Sequence, residues 1–432
     1  MALKKILIIT YYWPPSGGSS VLRWLKFARY LPEFGWQPTI YTPENPERQA
    51  YDPSLLEEIP GSVQVIKRKI VEPYRLFKFL TGKKGDDPLT VSFVSEKERG
   101  RISGLFRWIR GNLFIPDPRK FWINPSVRFL IRYLKENPHD IVVSTGPPHS
   151  MHLIGYDLKK KLKTTWIADF RDPWTNIDFY RELKLTAMAD RKHRSLERKV
   201  LATADAVITV GPALSSEFRS MGCRNVHTIT NGFDRPERLP QTEPDKKFSI
   251  LHIGSMPASR NPTTLWHVLS EISGSDPVFR SDLVIHLIGS VDYHVLRSLE
   301  ESGLEKYVIR RSHIPHHEVL SYLLKSSVLL LVINNSLNAR GILTNKFFEY
   351  LSAGKPILAI GPVDGDAADL LKQTGAGTML DYDDRENIRN SVLDLYSKFR
   401  LGSVTAGSGN VDLYSRRNLT SSLAGLLDAL IR

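Results

Sequence analysis

Short apolar runs of strand length recur along the whole sequence, separated by stretches long enough for a helix, and this alternation confines the chain to layered α/β folds with parallel sheets. KKILIIT, PTIYTP, VQVIKR, DIVVSTG, TTWIADF, AVITV and VHTITNG form a first set. FSILHIGS, LVIHLIGS, YVIRRS, VLLLVIN, PILAIGP and TMLDY form a second. The polar, proline-bearing stretch 236–247 lies between them and reads as a linker. The expected organisation is two Rossmann-like, doubly wound domains, 1–235 and 248–405, facing across a cleft at the carboxyl ends of their strands, where open sheets bind ligands. Residues 406–432 start within the small-residue connector LGSVTAGSGN, 401–410, and continue with apolar residues at helical spacing. They are expected to close the chain with a helix that crosses back to the first domain.

Composition agrees with two ordinary cores. The chain has 432 residues and 41% hydrophobic content, more than one typical core holds. The longest apolar run, VLLLVI, has strand length and falls far short of the roughly 18 residues that span a bilayer. MALKKILIIT stops at Tyr11 and is followed by Trp13, two prolines and two glycines, so it reads as a buried first strand and not as a signal peptide. Cys223 is the single cysteine. It excludes an internal disulfide and a thiolate metal cage, and it fits a reducing, cytoplasmic setting.

The net charge of +13 is unevenly placed: residues 1–240 carry 39 Lys+Arg against 25 Asp+Glu, and the remainder 20 against 21. Within the basic half, 67–135 hold 17 basic and 6 acidic residues interleaved with Phe77, Phe79, Phe106, Trp108, Phe114, Phe121 and Trp122. Cations mixed with large aromatics suit an anionic membrane surface, where rings enter the headgroup zone and Lys and Arg meet phosphates. Nucleic acid is the competing polyanion, and a solvated basic face over a partly aromatic core is the third reading.

The loops at the strand ends must carry the chemistry. After the first strand, YYWPPSGGSS places Gly17 and Gly18 before an amphipathic helix, a geometry that admits an anion at the helix N-terminus. The spacing is not GxGxxG, and the second strand ends in Tyr41-Thr42-Pro43 with no acidic residue, which disfavours a dinucleotide. STGPPHS puts Ser144, Thr145 and His149 past a later strand, and IADFRDPW puts Asp169, Arg171 and Asp172 past the next. A carboxylate beside an arginine also reads as a structural ion pair, and His149 also as a capping residue. In the second set, Met256 to Pro262 includes Arg260, whose guanidinium suits a diphosphate. His313, His316, His317 and Glu318 are packed too tightly before a helix to be read as a metal site. Asp364, Asp366, Asp381, Asp383 and Asp384 read as turn and cap residues.

TNKFFEYLSAGKPILAI, residues 344–360, resembles the nucleotide-binding signature of glycosyltransferase family 4. YYWPPSGGSSVLRWLKFARYLPEFGW, STGPPHSMHLIG, WIADFRDPWT, ITNGFD, the Arg260 loop and LVIHLIGSVD are similar to the family's other blocks in order, and the likeness is nearest to the bacterial surface-polysaccharide branch. It implies a GT-B fold and a retaining transferase that uses a nucleotide-diphosphate sugar, UDP-linked in the favoured case, with no required metal or cofactor. Glu349 matches the glutamate that binds the ribose hydroxyls. Gly17 and Gly18 match the glycine loop facing donor phosphates and acceptor, and Arg260 stands for the lysine of the diphosphate pair with Lys346 nearby. Ser255, Ile314, Gly341, Ile342, Leu343 and Thr344 complete the implied donor set, while Gly18, His149, Arg171 and Asp172 are the implied catalytic group. The sequence departs from the family at Gly341, where a second glutamate is usual, at Ser255, where an arginine is usual, and at Arg171, where a histidine is often found. The implied acceptor is a lipid-linked or polysaccharide precursor at the inner face of the cell membrane. A nucleotide-sugar epimerase of the same architecture is the first rival reading, and a basic nucleic-acid-binding protein is the second.

Overall fold

The computed structural model describes residues 3–47, 50–72, 108–235, 239–312, 314–403, 405–407 and 409–432. Most of the basic aromatic stretch, with Phe77, Phe79 and Phe106, lies outside the described residues, as does His313. The chain divides into two units, residues 1–230 with 416–432, and residues 231–415.

The first unit is a seven-stranded sheet in the order β3-β2-β1-β4-β5-β6-β7. Its strands are β1 Lys4–Ile9, β2 Trp36–Pro43, β3 Gln64–Arg68, β4 Ile141–Gly146, β5 Thr165–Phe170, β6 Ala206–Thr209 and β7 Val226–Thr228. Every pairing is parallel. β1 pairs with β2 on one side (Ile6 opposite Pro38) and with β4 on the other (Ile6 opposite Ile141). Strand order therefore reverses beside β1, and the loops after β1 and β4 flank the crevice that this reversal opens. The central strands are rich in apolar residues because helices cover both faces of a parallel sheet; β4 is buried along its whole length. The closing helix Arg416–Leu430 belongs to this unit. Its Leu423 and Leu427 are fully buried, and its Asp428 accepts hydrogen bonds from Lys4 Nζ at 2.6 Å and Trp36 Nε1 at 3.0 Å.

The second unit is a six-stranded parallel sheet in the order β10-β9-β8-β11-β12-β13. The strands are β8 Phe248–Ile253, β9 Leu283–Ile288, β10 Val308–Arg311, β11 Val328–Val332, β12 Ile357–Ile360 and β13 Gly377–Leu380. Here the reversal falls between β8 and β11. Side chains of β11 sort by the two-residue period of a strand. Val328, Leu330 and Val332 join the core on one face with Leu265 and Leu269, and Leu329 and Leu331 join the core on the other with Phe347, Phe348 and Leu351.

Every apolar run singled out in the sequence contains a strand, and VHTITNG is the one that pairs over the shortest stretch, Val226–Thr228. The stretch read as a linker is packed on the second unit, where Asp245 N–H donates to the Lys325 carbonyl at 2.9 Å, and residues 231–235 just ahead of it, expected in the first domain, belong to the second unit too: Phe233 N–H donates to the Tyr414 carbonyl at 3.1 Å and Arg235 pairs with Asp412 at 3.0 Å. The division between units falls ahead of it, at Thr230–Asn231.

Candidate functional site

In the second unit, β8 is followed directly by Gly254, whose φ of +105° lies where side chains are strained. A Cβ there would also lie 3.0 Å from Lys346 Cε and Nζ, so the glycine makes room for the lysine. Arg260, from the short turn Ala258–Arg260, donates through Nε to Asn334 Oδ1 and through Nη1 to the Ser255 carbonyl at 3.4 Å. Lys346 Nζ donates to that same carbonyl at 3.5 Å and to His252 Nε2 at 3.3 Å. Two cations thus converge on one neutral oxygen, and Ser255 takes part through its backbone. Burial and the neighbouring Arg260 push the Lys346 ammonium down to about 7, with Glu349 acting against them.

Lys346 and Glu349 sit on the helix Asn345–Ala353, which is pinned to β8 where Ile253 N–H donates to Tyr350 Oη at 3.0 Å. Thr344 is its extended N-cap, makes no side-chain cap, and leaves its Oγ1 buried without a hydrogen-bond partner. Phe347 N–H donates to the Thr344 carbonyl at 3.1 Å, and the amides of Asn345 and Lys346 face the end of the helix where an anion binds. Gly341 ends the short turn Ala339–Gly341 leading into this segment, Ile342 is half-buried, and Leu343 and Ile314 are buried.

In the first unit, Gly17 N–H donates to the Ala50 carbonyl at 2.9 Å, and Gly18, exposed with φ +92°, is the N-cap of the helix Ser19–Tyr30 and provides no side-chain cap. Asp169 is fully buried and fully engaged. It accepts from Arg23 Nη2 at 2.9 Å, Trp24 Nε1 at 2.7 Å and Thr145 Oγ1 at 2.7 Å, while Arg23 also donates to the carbonyls of Ile229 at 2.9 Å and Thr230 at 2.8 Å. Burial alone would raise the Asp169 pKa, but Arg23 and these donors hold it below the usual carboxylate value. Arg171 spends its guanidinium on backbone carbonyls, those of Gly146 at 3.3 Å, Ser20 at 2.7 Å, and Pro147. It thereby joins the start of the glycine-loop helix to the loop after β4. Asp172 is exposed.

His149 stands at the N-cap position of the helix Ser150–Leu162 without a side-chain cap hydrogen bond, stacks on Trp174 with ring centroids 4.6 Å apart, and leaves Nδ1 buried without a partner. Burial, with His152, His193 and Arg171 around it, drives its pKa well below the ordinary histidine value, so the ring is neutral. His152 is likewise pushed down by burial to about 3, its Nδ1 lying 3.0 Å from Ser144 Oγ and its Nε2 orphaned. Asp117 already occupies the N-terminus of the Ser150–Leu162 helix, accepting from Ser150 N–H and Oγ–H, each at 2.8 Å.

The structure brings together Ser255, Arg260 and Lys346 in one unit, and Arg171 with the loops of Gly18 and His149 in the other. Sequence reasoning missed His252, Asn334 and Asp117. A lone polar residue inside the apolar run FSILHIGS was the available signal for His252; Asn334 and Asp117 gave none. Among the described aromatics of the basic stretch, Trp108, Phe121 and the neighbouring Leu113 are exposed, and Met188 is 80% exposed. Trp122 is a core residue, 2% exposed and stacked on Tyr41. Among the described residues no three His, Cys, Asp or Glu side chains converge as a metal site, and no described helix is long and apolar enough to cross a membrane.

The family model of Glycosyltransferase Family 4 matches residues 23–236. The chain carries a glycosyltransferase family 4 domain. Solved structures share the fold of this family 4 glycosyltransferase across nearly its whole length. Sucrose-phosphate synthase from Thermosynechococcus elongatus is 14% identical with a TM-score of 0.64, covering 99% of each chain. S. aureus TarM, solved with Fondaparinux, alpha-GlcNAc-glycerol and UDP, is 10% identical with a TM-score of 0.60 and full coverage of both chains. WaaG, a glycosyltransferase involved in lipopolysaccharide biosynthesis, is 14% identical with a TM-score of 0.57, covering 98% of this chain and 99% of its own. At these identities the likeness is one of fold: GT-B, with two Rossmann-like domains. No curated protein sequence matches the chain.

Proposed function

We propose that this glycosyltransferase is a retaining enzyme that moves a sugar from a nucleotide-diphosphate donor, a UDP-sugar in the favoured case, to a lipid-linked or polysaccharide-precursor acceptor in cell-surface glycan synthesis. The observation that carries the reading is the convergence of Arg260 and Lys346 on the Ser255 carbonyl, beside the uncapped start of the helix that bears Glu349. Two cations brought together on one backbone carbonyl concentrate positive charge at the end of β8, and a diphosphate matches that charge. Glu349, one turn further on, supplies a carboxylate that accepts two ribose hydroxyls.

In the reaction the bond between the anomeric carbon and the diphosphate oxygen breaks, the acceptor oxygen forms the new bond on the same face, and its proton passes to the departing diphosphate. Charge grows on the diphosphate in the transition state, so Arg260 and Lys346 bind that state more strongly than the ground state. They supply the charge that a metal would otherwise bring, and the reaction requires none. In the first unit, Gly18 leaves room at a helix N-terminus, neutral His149 offers a ring nitrogen at the loop after β4, and Arg171 holds these two loops in register. Asp172 is the exposed carboxylate at the same strand ends.

Work at the inner face of the cell membrane is supported by the basic balance of residues 1–240 and by exposed Trp108, Leu113, Phe121 and Met188 close in sequence to Lys120, Lys184, Arg191 and Lys192. TarM and WaaG, with UDP and lipopolysaccharide synthesis respectively in their descriptions, favour a UDP-sugar and a surface glycan. Incubation with a panel of nucleotide-sugars and a lipid-linked acceptor tests the reading. Transfer with retained anomeric configuration, and strong loss of UDP binding in Glu349→Ala, are expected. A new sugar formed from the donor without any acceptor would establish the epimerase instead. Flotation with anionic liposomes at low salt tests the membrane part, and absence of binding would refute it.

A further inference from the structure

His252 lies inside β8, wholly buried, in a run that is otherwise apolar except for Ser249. A buried imidazole needs partners, and this one has the Leu330 and Ser255 carbonyls and the Lys346 amine. Nδ1 lies 3.1 Å from the Leu330 carbonyl, an acceptor only, so Nδ1 carries the proton. Nε2 therefore presents a lone pair, and Lys346 Nζ lies 3.3 Å from it. Burial, reinforced by the charge of Lys346, pushes the His252 pKa well below the ordinary value, which keeps the ring neutral.

The charges that act on Lys346, among the described residues, are Arg260 from the turn after β8 and Glu349 from its own helix. The helix His316–Lys325 packs on the other side and brings Glu318 and Lys325, and the turn Val411–Tyr414 brings Asp412, which pairs with Arg235. A carboxylate in the place of His252 would neutralise Lys346 outright and leave less attraction for an anionic ligand. A neutral acceptor fixes the amine in place and leaves its charge for the ligand.

We propose that His252 is a positioning residue of the donor site: its neutral imidazole holds Lys346 beside Arg260, so that arrival of the donor's diphosphate draws a proton from solvent onto the Lys346 amine. This rests on the donor-site reading above. With Lys346 near pH 7 in the empty site and well above it beside a diphosphate, binding takes up about half a proton at pH 7 and about 0.9 at pH 8. The last ionisation of UDP itself, at about pH 6, is complete by pH 8 and does not contribute there. The sign follows: affinity is greatest below pH 7 as far as Lys346 is concerned, and falls by up to about tenfold per pH unit above it.

Calorimetry of UDP binding to the full chain at pH 8, in buffers of low and high ionisation enthalpy, reads the proton uptake directly. Wild type is expected to take up close to one proton, and Lys346→Met none. His252→Asn keeps a donor for the Leu330 carbonyl but removes the acceptor for Lys346, which then turns toward solvent and is already charged; both uptake and about tenfold in affinity are expected to be lost. His252→Gln places an acceptor near the position of Nε2 and is expected to restore part of both. UDP binding without uptake in the wild type, or undiminished uptake in His252→Asn, overturns the inference and leaves the donor site standing. No UDP binding at any pH from 6 to 9 overturns the donor site and the inference together.

Discussion

The loops at the strand ends of the two units are built from the same kinds of residue and balanced in opposite ways. In the first unit the charges at these loops are bound within the protein. Asp169 meets Arg23, Trp24 and Thr145, Arg171 meets three carbonyls, and Asp117 fills a helix N-terminus. In the second unit Arg260 and Lys346 are held by an asparagine, a neutral histidine and a shared carbonyl. Polar groups of the first kind fix the shape of a loop. Those of the second kind gather two cations at one place and lower the pKa of Lys346, which is how perturbed groups come to mark functional sites.

The comparison makes unequal predictions for stability. Asp169→Ala leaves the Arg23 guanidinium buried without its carboxylate and is expected to cost about 3–5 kcal/mol. Urea unfolding followed by tryptophan fluorescence is suited to this, since all the tryptophans except Trp266 lie within residues 1–230. A loss below about 1 kcal/mol would break the contrast. Acid comes next. His152 is neutral when folded, so its folded pKa lies below the unfolded value of about 6.5, and the unfolded chain binds the extra proton as pH falls. Stability is full above that value and declines below it, by about 2 kcal/mol between pH 7.5 and 5. His152→Phe, which keeps an aromatic ring against Phe170, is expected to remove that share of the pH dependence.

Gly254→Ala is expected to cost about 1–2 kcal/mol for the left-handed backbone, and to displace Lys346, weakening UDP binding more than stability. The smallest change belongs to Lys346→Met, which removes a half-neutralised amine from beside Arg260 and should leave the urea midpoint unchanged or slightly higher. A large destabilisation there would show that the lysine serves the fold, as Asp169 does.

The parallel sheets were legible in the sequence because strands buried on both faces become continuous apolar runs. Arg260 was legible because it follows a strand-ending glycine and serine, and Glu349 because it lies in a contiguous signature. What remained hidden depends on pairings between distant residues. His252 and Lys346 are 94 positions apart, and Arg23 and Asp169 are 146 apart; neither local spacing nor periodicity announces such a contact. The same holds for residues 231–235, grouped with the first domain on sequence yet tied to 412–415 by a backbone hydrogen bond and an ion pair. Asp169 and Arg171 looked alike as strand-end charges, and only their partners separate an internal anchor from a loop clamp.

UDP titrated into the wild-type chain and into Arg260→Met/Lys346→Met, at pH 7 and followed by calorimetry, tests the central claim most directly. The account predicts binding by the wild type and a loss of about a hundredfold or more in the double variant, with the urea midpoint retained. Equal affinity in the two proteins would contradict it.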